Sequence, residues 1–169
     1  VIDKNGIFIT NKETTIYSFL KLIYSKNDLY IYQVDKNHKS ESNYTINAKE
    51  LPSQIGIVDG NSRKVNSEIN KSGYLTFGPY LELLPGKYKF TILYESSQNY
   101  NLEVGFYDIV INQKVISQDK IYGTNSKEIN LDGLFTIPES SNENIVEIRS
   151  FYNGIGDLTI KKLSIMKVD

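Results

Sequence analysis

The chain lacks cysteine and tryptophan altogether and has a single histidine in 169 residues. Without cysteine there can be no disulfide, no thiolate nucleophile and no Cys-based zinc site. The one histidine, His38, sits in the polar run from Asp35 to Asn43 and reads as a solvated loop residue. Any histidine-dependent triad would have to use it. An excess of charge is missing as well: Lys and Arg nearly balance Asp and Glu, leaving −1. Non-specific attraction to nucleic acid or to an anionic membrane therefore has no electrostatic basis. No apolar run approaches the ~20 residues that carry a helix across a bilayer. Signatures of an EF-hand, a P-loop, a dinucleotide-binding turn or a nucleophile elbow are absent. The first residue is Val1, not Met, and the chain reads as a fragment or a processed product, so a missing leader says nothing about the parent protein.

What is present is tyrosine. There are 13 Tyr, and hydrophobic residues make up 40% of the chain. Tyrosine with many Ile and Val favours β-structure. Its ring is apolar and its hydroxyl polar, which suits the face of a sugar. A low-GC genome would enrich Tyr, Asn, Lys and Ile too, so composition alone assigns no function.

The first 35 residues read as a small α/β appendage, or as the tail of a preceding domain. Gly6–Thr10 is expected to be a strand. Asn11 or Thr14 would cap a helix running to Tyr24, with Ile16, Phe19, Leu20 and Ile23 on one face. Asn27-Asp28 is turn chemistry, and Leu29–Val34 reads as a second strand. Residues 35–44 are polar and look like a linker or exposed loop.

From residue 46 to 169 the pattern is β throughout. Expected strands are Gln54–Val58, Tyr74–Phe77, Lys87–Tyr94, Asn101–Ile111, Val115–Lys120, Lys127–Asn130, Leu134–Ile137, Asn144–Tyr152 and Asp157–Val168. Turn signals separate them: Asp59-Gly60-Asn61, Leu84-Pro85-Gly86, Asn112-Gln113, Asp132-Gly133, Ser140-Ser141-Asn142 and Asn153-Gly154. Many short strands without helical period between them point to a mainly β domain, an antiparallel sandwich or barrel. Tyr88, Phe90, Ile92 and Tyr94 share one face, opposite Lys87, Lys89 and Thr91. Val146 and Ile148 face away from Glu147, Arg149 and Phe151. The phase breaks twice. Leu102, Val104 and Phe106 give way to Tyr107, Ile109 and Ile111, and Leu158 and Ile160 give way to Leu163 and Ile165. A β-bulge accounts for either break, and a strand buried on both faces is the alternative for the first.

The stretch from Gly73 to Ser96, with Gly78-Pro79-Tyr80, Leu83-Leu84 and Pro85-Gly86-Lys87-Tyr88, resembles a recurring jelly-roll segment of bacterial envelope-polysaccharide proteins. That segment accompanies glycosyltransferases and is similar to carbohydrate-binding modules. Leu51–Gly56 resembles its first strand, Phe106-Tyr107-Asp108-Ile109 an inner strand, Val146–Arg149 the penultimate strand, and Gly156–Ile160 the closing one. Ser18–Tyr24 followed by Leu29–Tyr32 looks like the tail of soluble regions in membrane glycosyltransferases. The resemblance implies a β-sandwich jelly roll that is not itself an enzyme. Its partners would be a glycan and a neighbouring domain of the parent protein, on the extracytoplasmic side of a bacterial membrane.

A sugar platform needs aromatic surface with charged or amide groups for hydroxyls. Glu147, Arg149 and Phe151 alternate onto one face and are the first candidates, with Tyr107 and Asp108 joining from a neighbouring strand. Tyr80, Tyr122 and Tyr152 are loop candidates. Plain packing competes for each aromatic, and Glu147 and Arg149 could be cross-strand ion-pair partners. Structural calcium is compatible with Asp59-Gly60-Asn61 and Asp132-Gly133, which otherwise read as turns. No motif selects a catalytic carboxylate pair. Three readings follow: a carbohydrate-binding module, a structural or protein-interaction sandwich, and a small hydrolase or lyase.

Overall fold

A computed structural model describes residues 7–10, 20–26, 29–34, 43–139 and 144–168. The chain forms two compact units, residues 1–40 and 41–169.

Unit one is a three-stranded antiparallel sheet. Strands β1 (Ile7–Thr10), β2 (Leu20–Lys26) and β3 (Leu29–Val34) lie in the order β1-β3-β2. The expected helix is corrected here: its last turn, Leu20–Tyr24, belongs to β2. Residues 11–19, the rest of that helix, lie outside the described residues. The reason is visible in the sequence. Leu20, Leu22 and Tyr24 also alternate with period two, and β3 follows after only two residues. Hairpin pairing satisfies the backbone of both segments at once.

Unit two is an antiparallel β-sandwich of eleven strands: β4 (Asn43–Asn47), β5 (Ile57–Asp59), β6 (Ser62–Asn66), β7 (Gly73–Thr76), β8 (Pro79–Glu82), β9 (Gly86–Glu95), β10 (Glu103–Ile111), β11 (Lys114–Tyr122), β12 (Ile129–Ile137), β13 (Ile145–Tyr152) and β14 (Asp157–Val168). One sheet runs β11-β10-β13-β7, with β8 also pairing β13. The other runs β12-β9-β14-β6-β5, with β4 also pairing β14. The core lies between them. Tyr88, Phe90, Ile92 and Tyr94 enter it from β9, and Ile109, Ile148 and Tyr152 from the facing sheet. Burial of each large side chain contributes about 1.5–3 kcal/mol, so this layer dominates the stability of the unit.

The phase breaks are both bulges. In β10 the register against β11 shifts between Glu103 and Gly105, so Val104 reaches the core out of phase with Tyr107 and Ile109. Both proposed accounts hold for β10, because Asp108 and Val110 on its other face are buried as well. In β14 the shift against β9 falls between Ile160 and Lys162. That is also where β14 exchanges one edge partner, β6, for another, β4.

Several expectations need revision. Of Lys127–Asn130 only Ile129 and Asn130 are in a strand, and they join Leu134–Ile137 in β12, so Asp132-Gly133 is mid-strand. Gly133 serves packing instead: it lies opposite Phe90, whose ring fills the space a Cβ would take. Of Gln54–Val58 only Ile57 and Val58 are in a strand. The sandwich begins at β4, inside the segment read as linker, and β6 and β8 are additional strands. Asn112 and Gln113 do form a tight hairpin turn, with φ of 50° and 66°. These values match a type I′ turn without glycine. Gly86 takes a φ of 145°, open only to glycine, where the chain enters β9.

Candidate functional site

Because β10 and β13 pair in register, their outward side chains meet in rows. Phe106 lies opposite Phe151, Asp108 opposite Arg149, and Val110 opposite Glu147. β7 adds Tyr74 beside Phe151, and β8 brings Pro79 beside Glu147. Alternation alone thus collects aromatic and charged groups on one face.

The centre of that face is an ion pair. Arg149 donates through Nε to Asp108 Oδ1 at 2.7 Å and through Nη2 to Oδ2 at 2.6 Å. The Asp108 side chain is 3% exposed and that of Arg149 23%. This bidentate geometry fixes the guanidinium plane. The same plane lies over the Tyr74 ring, 4.7 Å from its centroid. The pairing with Asp108 raises the Arg149 pKa, and burial together with the Asp108 charge raises that of the Tyr74 hydroxyl. The second terminal nitrogen of Arg149 makes no hydrogen bond to a described residue.

Above the pair in the register, the Tyr80 hydroxyl donates to the Glu147 carboxylate. Partial burial holds the Glu147 pKa above the usual carboxylate range, although Arg149 and Tyr80 pull it down. Below the pair, Phe106 and Phe151 stack at 4.7 Å with planes 14° apart, and Tyr74 meets Phe151 edge-on at 5.2 Å. Rings packed face to face offer mainly their edges to solvent. At the far end of β11, Lys120 pairs with Glu103 at 2.8 Å, and Asn153 donates to the same carboxylate. Tyr122, 40% exposed, stands beside Lys120.

Of the eight residues singled out from sequence, the fold gathers Asp108, Glu147, Arg149, Phe151 and Tyr80 on this face, with Tyr122 at its margin. Two are corrected. Tyr107 faces the core and packs on Phe90 at 5.3 Å, because the bulge at Val104 reverses the phase that follows. Tyr152 is fully buried, and its hydroxyl donates to the Gly156 carbonyl. Sequence reasoning missed Tyr74 and Phe106. Strand pairing brings Tyr74 in, and no local pattern signals it. Phe106 could have been found by weighing the bulge, since adjacent Phe106 and Tyr107 must point to opposite faces.

Two hollows lie elsewhere on the surface. One of about 300 Å³ lies on the other sheet, lined by Asn43, Thr45, Lys89, Thr91, Ser164 and Met166 among others, with no carboxylate. Another of about 210 Å³ lies beside β5 and β6 and holds one, Asp59. Neither pairs two carboxylates as glycoside hydrolysis would require. Among the described residues no three His, Cys, Asp or Glu converge as a metal site. Asp59-Gly60-Asn61 is the β5–β6 hairpin turn.

No family model matches the chain, and no curated protein matches it in sequence. Solved structures do match in fold. A carbohydrate-binding module from Cellvibrio mixtus lichenase 5A, in complex with cellotriose, aligns at a TM-score of 0.50 and 12% identity, covering 75% of this chain and 98% of that one. A family 35 carbohydrate-binding module from Clostridium thermocellum gives 0.47 and 12%, over 75% and 98%. The C-terminal module of the Zobellia galactanivorans laminarinase LamC gives 0.46 and 13%, over 74% and 99%. At these identities the likeness is one of fold, and it rests on the first of the three.

Proposed function

We propose that the sandwich is a non-catalytic carbohydrate-binding module that holds a glycan on the outward face of β10 and β13. One observation carries this reading. A partly exposed guanidinium, a carboxylate and three aromatic rings converge on a single face: Arg149, Glu147, Tyr74, Phe106 and Phe151. Hydroxyls of a sugar would be held by Arg149 and Glu147, and its C–H surface by the exposed apolar surface of the rings. Recognition of this kind is shallow and weak, and acts by raising the local concentration of glycan for an attached domain. The fold likeness to carbohydrate-binding modules agrees with the reading, which does not depend on it. The segment Gly73–Ser96 supports a place beside an envelope glycan enzyme, such as a membrane glycosyltransferase, on the extracytoplasmic side.

The test is a glycan array with the full chain, with and without calcium, followed by Arg149→Ala and Phe151→Ala. Binding is expected to fall about tenfold or more in each, the loss of one charge-assisted contact or one packing surface. Unchanged binding in both variants would remove the platform.

A second reading has its own observation. Among the described residues β11 is an edge strand, and Lys114–Lys120 are all exposed, with Val115 46% and Ile116 43% accessible. An open edge of this length suits addition of a strand from a protein partner.

A further inference from the structure

Resting on the sugar-binding reading, we infer that the platform takes uncharged sugar chains and excludes chains bearing uronate, with Asp108 acting as a positioning residue that sets this preference. An exposed arginine in a glycan site would ordinarily attract a carboxylate, through the two-pronged contact that guanidinium makes with such groups. Here one two-pronged edge is already taken and the charge is balanced: Nε and Nη2 of Arg149 both donate to the Asp108 carboxylate. Asp108 is buried beneath the guanidinium and held in the strand pairing, so a ligand cannot readily displace it. That pairing uses two of the five N–H groups of Arg149 and leaves two on Nη1 and one on Nη2 for other partners.

The charge around that donor points the same way. The Asp108 carboxylate neutralises the guanidinium at hydrogen-bond distance. Glu147 then stands two residues along β13 on the same face, with Tyr80 donating to it. Two carboxylates and one guanidinium leave the centre of the face net negative when all are ionised. The nearby Lys120 adds no excess of positive charge, because Glu103 is its partner. A uronate would meet repulsion from Glu147 and a guanidinium whose charge Asp108 already balances. A neutral sugar would meet a fixed donor and a nearby acceptor, the combination that vicinal hydroxyls can use together.

The experiment is calorimetric titration of the full chain with neutral gluco-, xylo- and manno-oligosaccharides and with oligogalacturonate and alginate oligomers of matched length. Neutral oligomers are expected to bind, with affinity nearly unchanged between low and high salt, and uronate oligomers not to bind measurably. Glu147→Gln should then raise uronate binding on the order of five- to tenfold, the effect of deleting one like charge nearby. Asp108→Asn should raise it further by freeing the guanidinium. Should Asp108→Asn fail to fold, the partly exposed Glu147 position carries the test alone. Uronate bound in preference to neutral sugar, or equal uronate binding by the wild-type chain and Glu147→Gln, would overturn the inference while leaving sugar binding intact. Silence with every oligomer would overturn the sugar-binding reading itself.

Discussion

Replacing Arg149 by Met should destabilise the sandwich by about 3 kcal/mol, and adding Asp108→Asn should restore most of that loss. The reasoning starts from exposure. The Asp108 side chain is 3% exposed, and both its oxygens accept from Arg149. Methionine keeps the apolar stem that packs on the sheet but supplies no donor. A buried carboxylate is then left unpaired, which costs about 3–5 kcal/mol when the site is dry. Arg149 is 23% exposed, so water can partly replace it, and the lower end of that range applies. The contact with Tyr74, 4.7 Å from guanidinium to ring, accounts for about 0.5–1 kcal/mol within that figure. In the double variant, the neutral amide that replaces the Asp108 carboxylate needs no counter-charge, so a coupling of about 2 kcal/mol between the two positions is expected. Urea unfolding followed by tyrosine fluorescence and far-ultraviolet circular dichroism would measure it. With an m-value of about 1.5–2 kcal/mol/M, the single variant should shift its midpoint by about 1.5–2 M. A shift under ~0.5 M, or additive effects in the double variant, would show that Asp108 is solvated and that the pair does not organise the platform.

Glycine packing gives a second test. Gly133→Ala places a Cβ into the Phe90 ring, and should cost about 2 kcal/mol in urea unfolding; a neutral effect would mean the ring moves aside freely. Gln113 holds a φ of 66°, so Gln113→Gly should raise stability by about 0.5–1 kcal/mol, and a loss would count against the type I′ assignment. Glu147 supplies a pH signature. Its folded pKa is raised, mainly by burial, so the folded state holds this proton more tightly than the unfolded chain does. Its contribution to stability is therefore greatest below the unfolded pKa and declines as pH rises to the folded one. Glu147→Gln should remove that decline, so its urea midpoint should gain on the wild type as pH rises above the ordinary glutamate pKa of about 4.3. A pH-independent difference would place Glu147 in free solvent.

The amino-acid order by itself determined the class of the fold. Alternation in Lys87–Tyr94 and Val146–Phe151, with turn residues at short intervals, requires half-buried strands, because a period of two puts one face in the core. It also placed Glu147, Arg149 and Phe151 together, since residues two apart on a strand share a face. Contacts across strands were beyond it. Which of Phe106 and Tyr107 turns outward depends on the bulge at Val104, which is a feature of the pairing with β11. Tyr74 reaches Arg149 only because β7 pairs with β13, some seventy residues later in the chain. The helix expected near Tyr24 failed for the same reason: local period allowed helix or strand, and a pairing partner decided. Asp108 is the plainest case. In sequence it is one of twenty acidic residues. The register of β10 against β13 sets it beneath Arg149, and burial turns a weak surface attraction into the contact that orients the face.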